Sequence, residues 1–108
     1  MWGTPETRAT WRSFSFVDKL GNIGVELHRV RRYNKEGKLE WRAKALERTK
    51  IMLEWTLEDV SEGVPERPFA VEIHSVVGRW LAGTPIEEVR ISSYVERCTE
   101  LVLVDRGG

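Results

Sequence analysis

Two histidines, one cysteine and one short basic run carry most of the chemistry open to this chain of 108 residues. His28 and His74 each lack a second ligand at metal-binding spacing. Cys98 stands alone, so no intrachain disulfide and no cysteine cluster can form. Glu47, Glu54 and Glu58 fall along one side of a helical segment, which invites comparison with carboxylate metal bundles. Those sites also need a glutamate–histidine pair three residues apart on each of two helices, and that pattern is missing. No nucleotide-binding glycine loop and no nucleophile signature is present either. The expectation is therefore no metal and no cofactor.

The basic run is His28-Arg29-Val30-Arg31-Arg32-Tyr33-Asn34-Lys35. Arg29, Arg31, Arg32 and Lys35 near a helix C-terminus suit contact with phosphates, with Tyr33 available for stacking on a base. The same charges also complement the negative end of a helix dipole and can pair with the acidic C-terminal segment. Five tryptophans are the least expected feature. Trp11, Trp55 and Trp80 fit a core. Trp2 and Trp41 sit where a monomer would struggle to cover them, and exposed tryptophan is a common interface anchor. They are the expected contacts for self-association or for docking to a protein partner.

The elements that must position these residues follow from the breaks Asn34-Lys35-Glu36-Gly37, 61–68 and Gly83-Thr84-Pro85. Trp11, Phe14, Val17, Leu20, Ile23, Leu27 and Val30 recur at helical spacing, predicting one helix over about 5–35, roughly 45 Å long, with Thr4 as N-cap and Pro5 first. Gly21 and Gly24 interrupt it, each at up to about 1 kcal/mol, so either a neighbour approaches closely there or the helix kinks at Gly21. A second helix is predicted over about 38–60, with Gly37 as the left-handed residue before it and Glu40–Lys44 as a four-residue charge pair. A third spans about 68–82. The fourth, about 85–103, opens on Thr84-Pro85 with Glu87 completing a capping box; Leu101-Val-Leu-Val104 has strand propensity, and its helicity is left open. Short connections between such helices predict an all-α, antiparallel, up-down-up-down four-helix bundle occupying 1–108 as a single domain.

Seventeen basic and seventeen acidic residues leave no net charge to draw the whole molecule to nucleic acid or membrane. Residues 1–37 carry seven basic and four acidic side chains, and 84–108 carry three and five, as suits helices packing side by side. Charges within the first twenty residues break a signal-peptide core, and no apolar run approaches the roughly 20 residues of a membrane helix. The expected location is the cytoplasm. The absence of Gln and the two Asn lean towards a heat-adapted source.

Asn22-Ile23-Gly24-Val25-Glu26 with Arg29, then Gly37, Ala45-Leu46-Glu47-Arg48, Leu53 and Thr56-Leu57-Glu58-Asp59, resembles a group of short, uncharacterised prokaryotic helical proteins over roughly 11–80. That resemblance implies a fold and no activity. Arg67 and His74, with six residues between them, more loosely resemble the arginine–histidine motif of HEPN helical bundles, which are ribonuclease toxins and partners of minimal nucleotidyltransferases. The resemblance implies His74 as general base on a ribose 2′-hydroxyl and Arg67 stabilising the phosphorane. This sequence departs from the class in having Pro68 after Arg67, at a loop–helix junction. The expected function is a non-enzymatic helical interaction or adaptor protein, self-associating or an accessory subunit. The alternative is the ribonuclease-like or nucleotidyltransferase-partner reading.

Overall fold

The first helix is opened by Thr4, whose hydroxyl oxygen accepts a hydrogen bond from the Thr7 amide ahead of Pro5. A computed structural model describes residues 4–105 and 107. Its helices are α1 (Pro5–Ser13), α2 (Phe16–Glu36), α3 (Leu39–Asp59), α4 (Arg67–Leu81) and α5 (Glu88–Asp105), and no strand occurs among the described residues. Among the described residues the chain is all-helical, with five helices in place of the expected four.

The extra helix arises because 5–35 is not continuous. Phe14 is extended, and Ser15 caps a new helix by accepting from the Asp18 amide. A serine hydroxyl competing for a free backbone N–H is a stronger local signal than the apolar stripe running through it. The break lets α1 fold onto α3. Trp11 is buried there, its indole N–H donating to the Thr56 hydroxyl at 3.2 Å.

Helix α2 is the spine, packing against both α3 and α5. Leu20, Ile23, Leu27 and Val30 on its inner face are fully buried, each contributing about 1.5–3 kcal/mol of transfer free energy. Gly37 takes the left-handed conformation (φ 71°) that ends α2, and Lys38 is the only residue between it and α3. So short a link folds α3 straight back along α2, which brings Arg42 to Asn34 and Arg48 to Glu26.

The glycines of α2 mark close approach and not a kink. A Cβ added to Gly24 would lie 2.8 Å from the Cys98 Cβ, and one on Gly21 would lie 3.0 Å from a Val102 methyl. Only hydrogen fits between α2 and α5 at these points. The pairs Gly21–Val102, Gly24–Cys98, Arg31–Ser92 and Lys35–Glu88 run in opposite directions along the two helices, so α5 lies antiparallel to α2.

Helix α5 starts at Glu88, three residues later than the Thr84-Pro85 capping signal predicts. Ile86 packs against the core in the non-helical stretch 84–87, and the first helical amide bond runs from Ile91 to the Glu87 carbonyl. At its other end the segment 101–104 is helical, because its pairing face is α2 and no strand partner exists among the described residues. Helix α5 meets α4 through Tyr94, which contacts the rings of Phe69 and Trp80 and donates to Glu72 at 2.6 Å.

The same substitution is expected to act with opposite sign at two glycines. Gly24→Ala forces α5 off α2 and should lower stability by about 1–3 kcal/mol, outweighing the helix propensity gained. Nothing lies within 4 Å of a Cβ at Gly78. Gly78→Ala in α4 should therefore raise stability by up to about 1 kcal/mol. Urea denaturation followed by circular dichroism checks both.

Candidate functional site

Arg67 and His74 stand on one side of α4, two turns and roughly 10 Å of helix rise apart. Their side chains take different surroundings. His74 Nε2 lies 3.3 Å from a Glu54 carboxylate oxygen on α3. Arg67 is half-buried at the start of α4, and its Nε is enclosed with no hydrogen-bond partner. Neither residue lines any of the four principal clefts.

Two charged residues are buried on the sides of α2 that face α3. Glu26 is held by Arg29 and by Arg48, the latter at 3.1 Å. Lys19 reaches Asp59 at 3.3 Å, and Asp59 also receives Arg8 at 2.6 Å, with Arg12 at 3.6 Å. Arg8 binds both Asp59 carboxylate oxygens and stacks over Trp55 at 5.5 Å. These are clamps: one ties α1 to α3, the other α2 to α3. A buried charge left single by mutation is costly, and here Glu26 is held by two arginines while Lys19 is held by Asp59.

The basic run acquires neighbours that linear sequence hides. The hairpin between α2 and α3 brings Trp41 beside Tyr33, ring centroids 6.1 Å apart. The Arg32 guanidinium lies 5.2 Å from the Tyr33 ring centre, and the Lys44 ammonium 5.9 Å from that of Trp41. Trp41 is 60 % exposed and Leu39 beside it 59 %. Arg29 and Arg31 turn away from this cluster: Arg29 pairs with Glu26, and Arg31 bonds Ser92 and His28. Lys35 pairs with Glu88 on α5, the electrostatic contact expected between the basic and acidic ends of the chain. Trp2, the other expected anchor, lies outside the described residues.

The surface that sequence reasoning missed lies on the outer side of α2 and α5. An open groove of about 420 Å³ is lined there by Gly21, Gly24, Val25, Val95, Val102 and Leu103, with His28 and Thr99 as its polar members. A second cleft shares Gly21, Val25 and Val102 and extends it towards Phe14 and Asp18. Val25 is 52 % and Leu103 54 % exposed. The signal was present in the two glycines. Close approach of α5 removes side-chain bulk from the seam and leaves a trough between flanking apolar residues. Helical spacing sets Arg29 and Arg32 on the same side of α2 as Val25, and Glu96 and Glu100 on the same side of α5 as Leu103.

Among the described residues there is no cluster of three or more His, Cys, Asp or Glu able to hold a metal, and no helix is long and apolar enough to cross a membrane. No protein-family model matches the chain, and neither a curated protein nor a solved structure is significantly similar to it.

The Asp59 clamp has a measurable pH signature. Hydrogen bonding from Arg8 outweighs the opposing effect of burial and, with Lys19, lowers the Asp59 carboxyl from 3.8 to about 2. A depressed folded-state value stabilises the fold above about pH 4, and that stability is lost as pH falls through about 2. The contribution at neutral pH is about 2 kcal/mol. Asp59→Asn should lower stability at pH 7 by that order and flatten the acid limb between pH 4 and 2; an unchanged limb would remove the clamp.

Proposed function

We propose that this chain is a non-enzymatic helical interaction protein that pairs with a second copy of itself through the outer face of α2 and α5. The observation carrying this reading is the groove between those helices, open to solvent and bordered mainly by Val25, Val95, Val102 and Leu103, with His28 and Thr99 as its polar members. Charge favours a second copy as the occupant. A two-fold axis running along the groove lays α2 of each copy over α5 of the other, so Arg29 of one comes within a helical turn of the level of Glu96 on its mate. Val25 and Leu103 then enter the facing trough, where the glycines leave room for them.

The same pairings support a finer description of the fold. We read α2, α3, α4 and α5 as an antiparallel four-helix bundle with α1 folded across α3. The opposed register of α2 with α5 and of α2 with α3, together with Tyr94 joining α5 to α4, supports that description.

A ribonuclease-like reading draws support from one observation: Glu54 holds the His74 imidazole on the side of α4 that also carries Arg67. Neither His74 nor Arg67 lines one of the four principal clefts. Cleavage of RNA by the chain, abolished by His74→Ala, would establish it.

For self-association, the expected result in sedimentation equilibrium is a species of twice the 12.5 kDa chain mass at tens of micromolar. Val25→Glu and Leu103→Glu should each return it to the monomer without loss of helical circular dichroism. A monomer at all concentrations would overturn the reading. Dissociation by Trp41→Ser but not by Val25→Glu would move the interface to the tip of the α2–α3 hairpin.

A further inference from the structure

Residues 31–44 hold six cations, Arg31, Arg32, Lys35, Lys38, Arg42 and Lys44, against the two acids Glu36 and Glu40, in a chain whose net charge is zero. The hairpin folds this excess into one end of the molecule. Within it Arg32, Tyr33, Trp41 and Lys44 form a continuous series of cation–ring and ring–ring contacts, each at 5.2–6.1 Å between charged group or ring centres. Arg42 is steadied by Asn34, to which it donates at 2.7 Å. The series ends in an indole that is 60 % exposed.

We propose that this hairpin tip is a binding site for single-stranded nucleic acid, with a base stacking on Trp41, which the half-buried Tyr33 backs, and the flanking cations on the phosphates. Three features select that ligand. First, the exposed indole carries the Lys44 ammonium over its ring, and lysine is depleted at the centre of protein interfaces. It has the make-up of a base-stacking platform, since every base offers a π-face and sequence need not matter. Second, the cations stand around two rings that are tilted at 47° to each other. An unpaired strand can splay its bases onto such surfaces, whereas a duplex keeps them stacked inside. Third, Lys38 and Lys44 hold their local acids only loosely, at 3.3 and 3.8 Å across exposed side chains, so phosphate can displace those carboxylates. Arg29 and Arg31 are engaged elsewhere and are positioned at the margin. Arg32 stands at the border of this site and the outer face of α2, but Tyr33, Trp41 and Lys44 take no part in the α2–α5 groove, so loss of binding in Trp41→Ala and loss of pairing in Val25→Glu are separate outcomes.

The test is fluorescence anisotropy of the full-length chain with three end-labelled probes: a 12-nucleotide oligouridylate, the matching oligothymidylate, and a 12-base-pair duplex. The expected result is micromolar-range binding of at least one single strand at 50 mM salt, with the duplex weaker. With about four phosphates neutralised, the logarithm of affinity should fall with the logarithm of salt at a slope of about −3. Trp41→Ala should weaken binding by about tenfold or more, while Trp41→Phe retains most of it. Arg32→Ser with Arg42→Ser should reduce the slope by about 1.4. Trp41 is largely exposed, so its variants should keep the native circular dichroism. Binding of the uridylate alone assigns the site to RNA, of the thymidylate alone to DNA, and of both to the features the two share. Failure of both strands to bind, equal binding of the duplex, or wild-type affinity in Trp41→Ala would each overturn the proposal.

Discussion

The architecture depends on how closely α5 can lie against α2. At Gly24 the two helices are separated by less than a methyl group, with the Cys98 Cβ 2.8 Å from where a side chain would begin. This contact places α2 at the centre of the molecule, since its opposite side is filled by α3. It also accounts for the state of Cys98. Burial pushes its thiol up to about 12, so it serves as a small apolar filler opposite a glycine and not as a nucleophile. The seam also has a second consequence on its outer side, where missing bulk on α2 leaves a trough bordered by Val25 and Leu103.

The two sides of α2 are stabilised by different physics. Towards α5 the contact is close packing of small groups. Towards α3 it combines an apolar row with the buried charges of Lys19 and Glu26, each partnered across the helix pair. Close packing gives little tolerance to insertion of atoms. Paired charges give little tolerance to removal of one partner. Together they fix α2 in rotation about its own axis, which decides that Val25 and Arg29 face outward while Ile23 and Leu27 face the core. Self-association, if it uses that outward face, is a product of the same rotational setting.

Much of this was legible in the residues. The apolar stripes gave an all-helical chain, Gly37 marked the end of α2, and the paired glycines pointed to either a close neighbour or a kink. The break at Phe14-Ser15 was hidden because Trp11, Phe14 and Val17 keep helical phase across it; phase alone cannot reveal that a serine hydroxyl has taken over a backbone amide. The start of α5 was misplaced for the opposite reason. Thr84-Pro85 with Glu87 is a strong local cap, but Ile86 is packed against the core from the non-helical stretch, and tertiary contact prevailed over local preference. The basic run was visible from His28 to Lys35. Trp41 and Lys44 joined it only once α3 had folded back, since contacts across a hairpin are set by register and not by proximity in sequence. The outer groove was signalled only by the two glycines, because a trough is a property of two helices at a given separation.

The register of α2 against α5 is the claim on which core, groove and rotational setting all rest, and an engineered cross-link reads it directly. Gly21→Cys with Val102→Cys, in a Cys98→Ala background, sets two thiols at the next contact along the seam from Gly24. Mild oxidation should give a disulfide in nearly all molecules, seen as loss of free thiol in the monomeric fraction and as raised resistance to urea. Thiols that remain free in the folded, oxidised protein would contradict the antiparallel seam and the account built on it.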